Sequence, residues 1–218
     1  MFQEMTLTRL HLVLPALLLL ALLAADCGYN ALADADEEVK AAWGRVELVY
    51  QRRADLVPNL IAAVKAAAAH EQPTLAAVAQ ARDRASQIKL TATDLSRPSR
   101  FLSFELAQGQ LSQSLRRLLA VAERSPELQA SANFRDLQAH LEVTEDRIAA
   151  ERRRYNEVVE RYNALLRSFP RLIVAHLFGF TLKESFHVNS VSADRATKIR
   201  FEALTAALGP GRTAAPIE

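Results

Sequence analysis

The strongest constraint on the fold is a regular run of apolar side chains near the middle of the chain. From Phe134 to Phe169, they recur at alternating intervals of three and four residues. This spacing places the side chains on one face of a continuous helix, as in the seam of a coiled coil. The seam positions are Phe134, Leu137, Leu141, Thr144, Ile148, Glu151, Tyr155, Val158, Tyr162, Leu165 and Phe169. Nine of these eleven are apolar or aromatic, so the pattern predicts a long amphipathic helix.

An earlier segment, from Val39 to Val64, follows the same alternation, with Arg53 as its one basic seam position. Prolines divide the chain, because proline lacks a backbone donor and ends or kinks a helix. The predicted helical segments are 36–72, 74–90, 99–124 and 127–169, and Pro58 predicts a kink inside the first. A chain with only 6 Gly and 6% aromatic residues also favours helix over sheet. We therefore predict an all-α fold, an elongated antiparallel four-helix bundle with long first and fourth helices, preceded by an N-terminal hydrophobic segment.

The N-terminal hydrophobic segment is apolar without a break from Leu12 to Ala25. Its fourteen residues fall short of the roughly 20 that span a bilayer and within the roughly 7–15 of a signal-peptide core. Arg9 precedes the run and acidic residues follow it, which predicts that the bulk of the chain lies outside the cytoplasm. A buried core helix is the alternative interpretation.

The N-terminus has three possible states: a retained peptide anchor, a lipid on Cys27, or cleavage with release from the membrane. Cys27 stands where a bacterial lipoprotein carries its lipid, although the charged Asp26 before it fits poorly. The tripeptide at 31–33 (Ala-Leu-Ala) would instead allow cleavage and release of a soluble protein. We favour a retained tether, by peptide or by lipid on Cys27, over release. The predicted domains are a signal peptide or anchor at 1–27, a helical bundle at 28–187, and a partly disordered extension at 188–218.

Few residues suggest catalytic or metal chemistry. One Cys excludes a disulfide framework within the chain, and a net charge of +2 gives no argument for nucleic-acid binding. Phosphate-binding loops, dinucleotide fingerprints and nucleophile elbows are absent from the sequence. Glu184-x-x-His187 is half of a di-iron motif that has no second copy. We predict no enzyme activity, no cofactor and no metal site.

Two charged residues lie on the predicted apolar seams. A buried charge requires a partner, and Arg53 and Glu151 would satisfy each other if their helices packed suitably. The functional alternative is a polar pocket near Arg53 and Glu151 that binds a lipid or another small molecule.

Several specific motifs follow one another along residues 28–186. The longest is the run from Tyr50 to Leu60 (YQRRADLVPNL), and it is followed by a TEDRIA segment at 144–149 and two Tyr-Asn doublets at 155–156 and 162–163. Together and in this order, the motifs resemble those of the LemA family, and the Tyr50–Leu60 run is the most specific of them. The resemblance implies a bacterial protein attached to the membrane at its N-terminus, with an elongated helical bundle and no established activity. Its carried-over residues are Gln51, Arg52, Arg53, Asp55, Pro58, Asn59, Asn133, Glu145, Arg147, Tyr155, Asn156, Tyr162, Asn163, Phe169 and Pro170.

These motif residues are interpreted either as a polar network that specifies the bundle or as a surface for a partner protein. The leading hypothesis is a membrane-tethered scaffold or adaptor in the bacterial cell envelope, located at the cytoplasmic membrane as a single-pass or lipid-anchored protein. It would bind an envelope protein through its helix faces, with the membrane as its other partner. The lipid- or small-molecule-binding bundle is the alternative, and a hydrolase is a third. The sequence gives no prediction of homo-oligomerisation.

Overall fold

The computed structural model of the protein describes residues 2–67 and 71–187, with side chains from residue 28 to 66 and from 71 to 187. Within these residues the chain forms six α-helices. They are α1 (Phe2–Ala67), α2 (Gln72–Gln87), α3 (Pro98–Ala122), α4 (Pro126–Ala130), α5 (Ala132–Arg167) and α6 (Arg171–Phe178), with a 3-10 turn at Asp94–Ser96 before α3. The same residues contain no strand, which confirms the predicted all-α class.

The prediction of four helices was too simple. The fourth segment is divided at Ser131, whose side-chain oxygen accepts a hydrogen bond of 3.3 Å from the backbone N–H of Phe134 and so caps α5. The chain also forms α6 beyond Pro170. Prolines lie in the first turns of α2, α3 and α4, where the missing donor has no helical partner in any case.

α1 begins much earlier than the predicted residue 36. It is continuous over 66 residues, about 100 Å at 1.5 Å per residue, and it includes the run at 12–25. Pro58 lies on its exposed side, and the helix continues beyond it to Ala67. The side chains of residues 1–27, on which the anchor prediction and Cys27 fall, lie outside the described residues. No helix among the described residues is both long enough and apolar enough to cross a membrane.

α1 and α5 pack against each other in antiparallel directions, and three ion pairs define their register. As the residue number increases along α1, the number of the paired residue on α5 decreases by a similar amount. The pairs are Glu38 with Arg161 at 2.9 Å, Arg45 with Glu151 at 3.6 Å, and Arg53 with Glu145 at 2.9 Å.

The core along α1 changes character from aromatic to aliphatic. The Trp43 ring lies 5.2 Å from that of Phe104 and 5.5 Å from that of Tyr155, measured between centroids, so α1, α3 and α5 share an aromatic cluster. Towards the end of α1, Val57 and Leu60 pack in an aliphatic cluster to which α2, α3, α4 and α5 all contribute. Both clusters lie on the face of α1 that the apolar alternation predicts.

The chain divides into two compact units. The first, Met1–Ser185, contains all the helices described above. The second is Phe186–Glu218, of which only Phe186 and His187 are described. The C-terminal extension predicted at 188–218, and the partial disorder predicted for it, fall outside the described residues.

Candidate functional site: the buried Arg53 cluster

The most elaborate polar site in the described structure is centred on Arg53, whose side chain is 1% exposed. Its Nη1 donates hydrogen bonds to Ser112 Oγ at 2.6 Å and to Glu145 Oε1 at 2.9 Å. Its Nη2 donates to the Gln108 side chain at 2.6 Å and to the Gln108 carbonyl at 3.3 Å. A buried guanidinium is costly without acceptors, and α3 and α5 supply them. We call Arg53, Gln108, Ser112 and Glu145 the Arg53 cluster.

The Arg53 cluster also reaches α2 and an aromatic side chain. The amide nitrogen of Gln108 donates to the backbone carbonyl of Ala85 at 3.3 Å. The guanidinium lies 5.1 Å from the centroid of the Tyr50 ring, within the range of a cation–π interaction. Burial raises the pKa of Tyr50, so its phenol stays neutral beside the arginine. The cluster therefore links α1, α3 and α5 through the Arg53 side chain, and α2 through that of Gln108.

The chemistry of the Arg53 cluster is suited to holding helices in fixed positions relative to one another. Arginine keeps its charge and only donates hydrogen bonds, so it does not transfer protons near neutral pH. Glu145 is the part of the cluster that reaches solvent, with its side chain 40% exposed. Among the residues with described side chains, no group of three or more His, Cys, Asp or Glu could hold a metal ion.

The predicted pairing of Arg53 with Glu151 was wrong. Glu151 instead accepts from Arg154 on its own helix at 2.7 Å and lies 3.6 Å from Arg45. The register of α1 and α5 explains the difference, because Glu151 is six residues, or about 9 Å along the axis, from the Glu145 position opposite Arg53. The sequence correctly predicted that the buried charge has an acidic partner and chose the wrong one.

The structure places a surface cavity away from the predicted polar pocket. This cavity, about 470 Å³, lies between the end of α1 and the beginning of α5. Its lining residues are Asn59, Ala62, Ala63, Ala66, Asn133 and Leu137. Neither Arg53 nor Glu151 is among them, so this cavity is not the pocket predicted beside that pair. Two of the motif residues, Asn59 and Asn133, line this cavity instead.

The Tyr-Asn doublets of α5 hold an extended segment that follows α6. Tyr155 and Tyr162 donate to the backbone carbonyls of Glu184 and Thr181, each at 3.0 Å. Asn163 makes two hydrogen bonds with the backbone of Lys183, donating to its carbonyl at 2.9 Å and accepting from its N–H at 3.0 Å. Burial raises the pKa of both tyrosines, and they therefore remain protonated donors.

An ion-pair triad joins the same extended segment to α1. Asp36 lies 2.9 Å from Lys40 Nζ and 3.0 Å from Lys183 Nζ. Burial alone would raise the pKa of Asp36, but the hydrogen bonds from Lys40 and Lys183 outweigh it and lower the pKa below its usual value. The hydrogen bond with Asp36 correspondingly raises the pKa of Lys40.

The other motif residues are mostly on the surface. Exposed positions are Gln51, Arg52, Asp55, Pro58, Asn59, Asn133, Arg147, Phe169 and Pro170, whereas Asn156 is half-buried. Sequence reasoning did not assign Gln108 and Ser112 to the site. The signal for Gln108 was available, because it is the polar residue in the seam of the third segment, facing the polar position of the first.

Comparison with known proteins places the chain in a family. Magnetosome protein MamQ of Magnetospirillum gryphiswaldense is 32% identical to it over 81 residues, which are 37% of this chain and 30% of that protein. Magnetosome protein MamQ 2 of Paramagnetospirillum magneticum is 34% identical over 80 residues, 37% of this chain and 29% of the relative. The match thus spans less than a third of these relatives. The LemA family profile matches residues 42–201, well over half of the chain, and the protein therefore belongs to the LemA family.

Proposed function

We propose that the protein is a membrane-tethered helical scaffold of the bacterial cell envelope that binds a protein partner through its exposed helix faces and catalyses no reaction. The observation that carries this proposal is the continuity of α1. One helix contains the apolar run at 12–25 and, further on, Arg53 at the centre of the bundle. Whatever holds the run in a membrane is therefore joined to the bundle without a flexible linker.

The tether is either the helix itself or a lipid on Cys27, with the bundle outside the cytoplasm. The apolar run and the acidic residues after it support this orientation. The names of the matched relatives refer to a cellular structure, the magnetosome. The central polar site is built around a permanent cation, which favours a structural use.

The partner surface is the exposed half of the Tyr50–Leu60 motif. Packing accounts for the buried half, since Arg53 and its apolar neighbours fill the bundle. Gln51, Arg52 and Asp55 face solvent on the other side of α1. Asn59 extends this surface into the cavity that it shares with Asn133. Polar groups around a concave floor of alanines suit the docking of a partner's side chains.

The tether is tested by mass spectrometry of the native N-terminus together with membrane fractionation. An intact Met1 or a lipid on Cys27 supports retention, whereas a terminus near Asp34 overturns it. Leu18→Asp combined with Leu20→Asp places two charges in the run, each costing about 3 kcal/mol at a bilayer centre. We expect this variant to leave the carbonate-resistant membrane fraction.

The partner surface is tested with a photo-crosslinking amino acid placed at Arg52 or Asn59 in cells. We expect a discrete adduct of constant mass at both positions. Arg116, exposed on α3, is the matched control and should give no such adduct. The adduct at Asn59 should also disappear when Asp55→Lys reverses a charge on the surface. Adducts that are equally strong at Arg116, or insensitive to Asp55→Lys, contradict a specific partner surface.

A further inference from the structure

α6 is apolar on nearly every side, which is unusual for a helix at a protein surface. Arg171 and His176 are the two polar side chains in this helix, which runs from Arg171 to Phe178. Val174 and Ala175 are buried against the bundle, while Leu172, Ile173 and Leu177 point outward and are each more than half exposed. A helix that is apolar all round is normally buried in a protein core or in a membrane. Among the residues whose side chains are described, the bundle covers one side of α6.

Neighbouring side chains enlarge this outward face into a patch. Phe169, just before α6, is 82% exposed, and Phe178 is more than half exposed. The ring of Tyr29 on α1 lies 4.8 Å from that of Phe178. We define the α6 patch as Tyr29, Phe169, Leu172, Ile173, Leu177 and Phe178. Contiguous apolar surface of this kind marks a site of contact with another protein or with lipid.

The position of the α6 patch along α1 distinguishes between these two. A Cβ on Gly28 would lie 3.2 Å from Val174 Cγ2 and 3.9 Å from Arg171 Cγ, so α6 crosses α1 at this glycine. Gly28 is three residues, or about 4.5 Å along the helix, beyond the end of the apolar run at Ala25. The interfacial layer of a bilayer, between hydrocarbon and water, is about 5–8 Å deep on each side. A run held in the hydrocarbon therefore places α6 within this layer.

We propose that the α6 patch inserts into the interfacial layer of the membrane leaflet that faces the bundle. This proposal rests on the proposed tether and adds a second contact with the same bilayer. Short apolar faces bury about 5–10 Å into the boundary between headgroups and acyl chains, and phenylalanine and tyrosine are suited to that depth. Arg167 and Arg171, at the end of α5 and the beginning of α6, can reach the lipid phosphates. The patch then fixes the tilt of the bundle on the membrane surface.

The test uses the full chain in vesicles of phosphatidylcholine with a minor fraction of phosphatidylglycerol. Cys27→Ser removes the native thiol and the site of lipid attachment, so the vesicle test reports on the helical tether alone. Ile173→Cys accepts an environment-sensitive nitrobenzoxadiazole (NBD) probe. The matched control carries the probe at Leu48→Cys. Leu48 is 64% exposed against 60% for Ile173, and it lies twenty residues, or about 30 Å, beyond Gly28 along α1. Lipids with a quencher on the acyl chain report contact of the probe with the bilayer.

We expect a blue-shifted emission at position 173 and several-fold stronger quenching there than at position 48. Co-flotation of the chain with the vesicles reports the tether separately. Flotation with equal, weak quenching at both positions overturns insertion of the α6 patch and leaves the tether intact. A blue shift at 173 without lipid quenching also overturns it, because another protein surface then covers the patch. Flotation that is lost on Ile173→Ser with Leu177→Ser supports the patch and overturns the tether.

Discussion

The guanidinium of Arg53 and the carboxylate of Glu145 meet at 2.9 Å in the interface between α1 and α5. Arg53 is buried, whereas Glu145 is partly in solvent. The two ends of this ion pair should therefore contribute unequally to the stability of the bundle. Arg53 has Gln108 and Ser112 as further acceptors, and each of them loses its donor when the arginine is removed.

Arg53→Met should lower the free energy of unfolding by about 2–4 kcal/mol, because acceptors on α3 and α5 lose their donor in a site largely closed to water. Glu145→Gln should cost less, about 1 kcal/mol, since it keeps a carbonyl acceptor and part of the side chain is hydrated. Urea unfolding followed by circular dichroism measures both. Arg52→Met, at the exposed neighbouring position, is the control and should change stability by no more than about 0.5 kcal/mol. Equal losses for Arg52→Met and Arg53→Met would contradict the central role of Arg53.

Asn163→Ala should release the extended segment at 181–184 without unfolding the helices. The substitution removes both hydrogen bonds to the backbone of Lys183, at a cost of about 1–3 kcal/mol. Native-state hydrogen exchange should show faster exchange at the Lys183 amide and unchanged protection in α5 around Tyr155. Glu160→Ala, an exposed change on the same helix, serves as control. If the Lys183 amide keeps its protection in Asn163→Ala, the doublet does not hold this segment.

Acidification should weaken the protein through Asp36. Its pKa is lowered in the folded state relative to the ordinary value of 3.8, because hydrogen bonds from Lys40 and Lys183 outweigh the effect of burial. The ionised carboxylate therefore stabilises the fold above about pH 4. This contribution is lost as the pH falls below 3.8 and through the lower folded-state pKa.

Asp36→Asn removes the titrating group and should flatten this part of the pH profile, while costing about 1–3 kcal/mol at pH 7. Urea midpoints measured between pH 7 and pH 2 give both quantities. Asp34→Asn, at an exposed position two residues away, controls for the loss of one negative charge. An acid-sensitive slope that is identical in the wild type and in Asp36→Asn would show that other carboxylates cause it.

Substitution at Gly28 should separate α6 from α1. Gly28→Leu inserts a side chain where a Cβ alone already comes within 3.2 Å of Val174 Cγ2, and we expect a loss of about 1–3 kcal/mol from crowding. Gly28→Ala should be close to neutral, because the gain in helix propensity offsets the tight contact. Val174→Ala should rescue part of the Gly28→Leu loss in a double-mutant cycle. Purely additive effects would mean that the two residues do not contact each other.

The sequence predicted α5 and the packed half of α1, because the alternation of apolar residues at three and four positions reports directly on burial. It did not predict the division at Ser131, where one side-chain cap outweighs a seam that continues across it. It did not predict α6, because residues that are apolar on nearly every side of a helix show no helical periodicity. The acidic partner of Arg53 was predicted incorrectly because it depends on how α1 and α5 are aligned along their axes. This alignment is set by contacts between distant parts of the chain, and a local sequence pattern does not reveal it.

The contacts made by the Tyr-Asn doublets were also only partly predictable from the sequence. Their spacing of seven residues correctly predicted a common face of α5, and the structure shows that this face binds backbone atoms of a later segment. Hydrogen bonds to a main chain leave no signature in the residues they reach. The acceptors at Thr181 and Glu184 were therefore not predictable from side-chain chemistry.

The three ion pairs between α1 and α5 also determine which misaligned states the chain avoids while it folds. Apolar seams that repeat every seven residues fit almost as well after a slip of one repeat. Such a slip would place the buried Arg53 opposite Arg152 or Gln138 instead of Glu145. One direction brings two positive charges together, and the other leaves the guanidinium without a carboxylate. The polar interruption of the hydrophobic stripe thus allows a single alignment among several that hydrophobicity alone would accept.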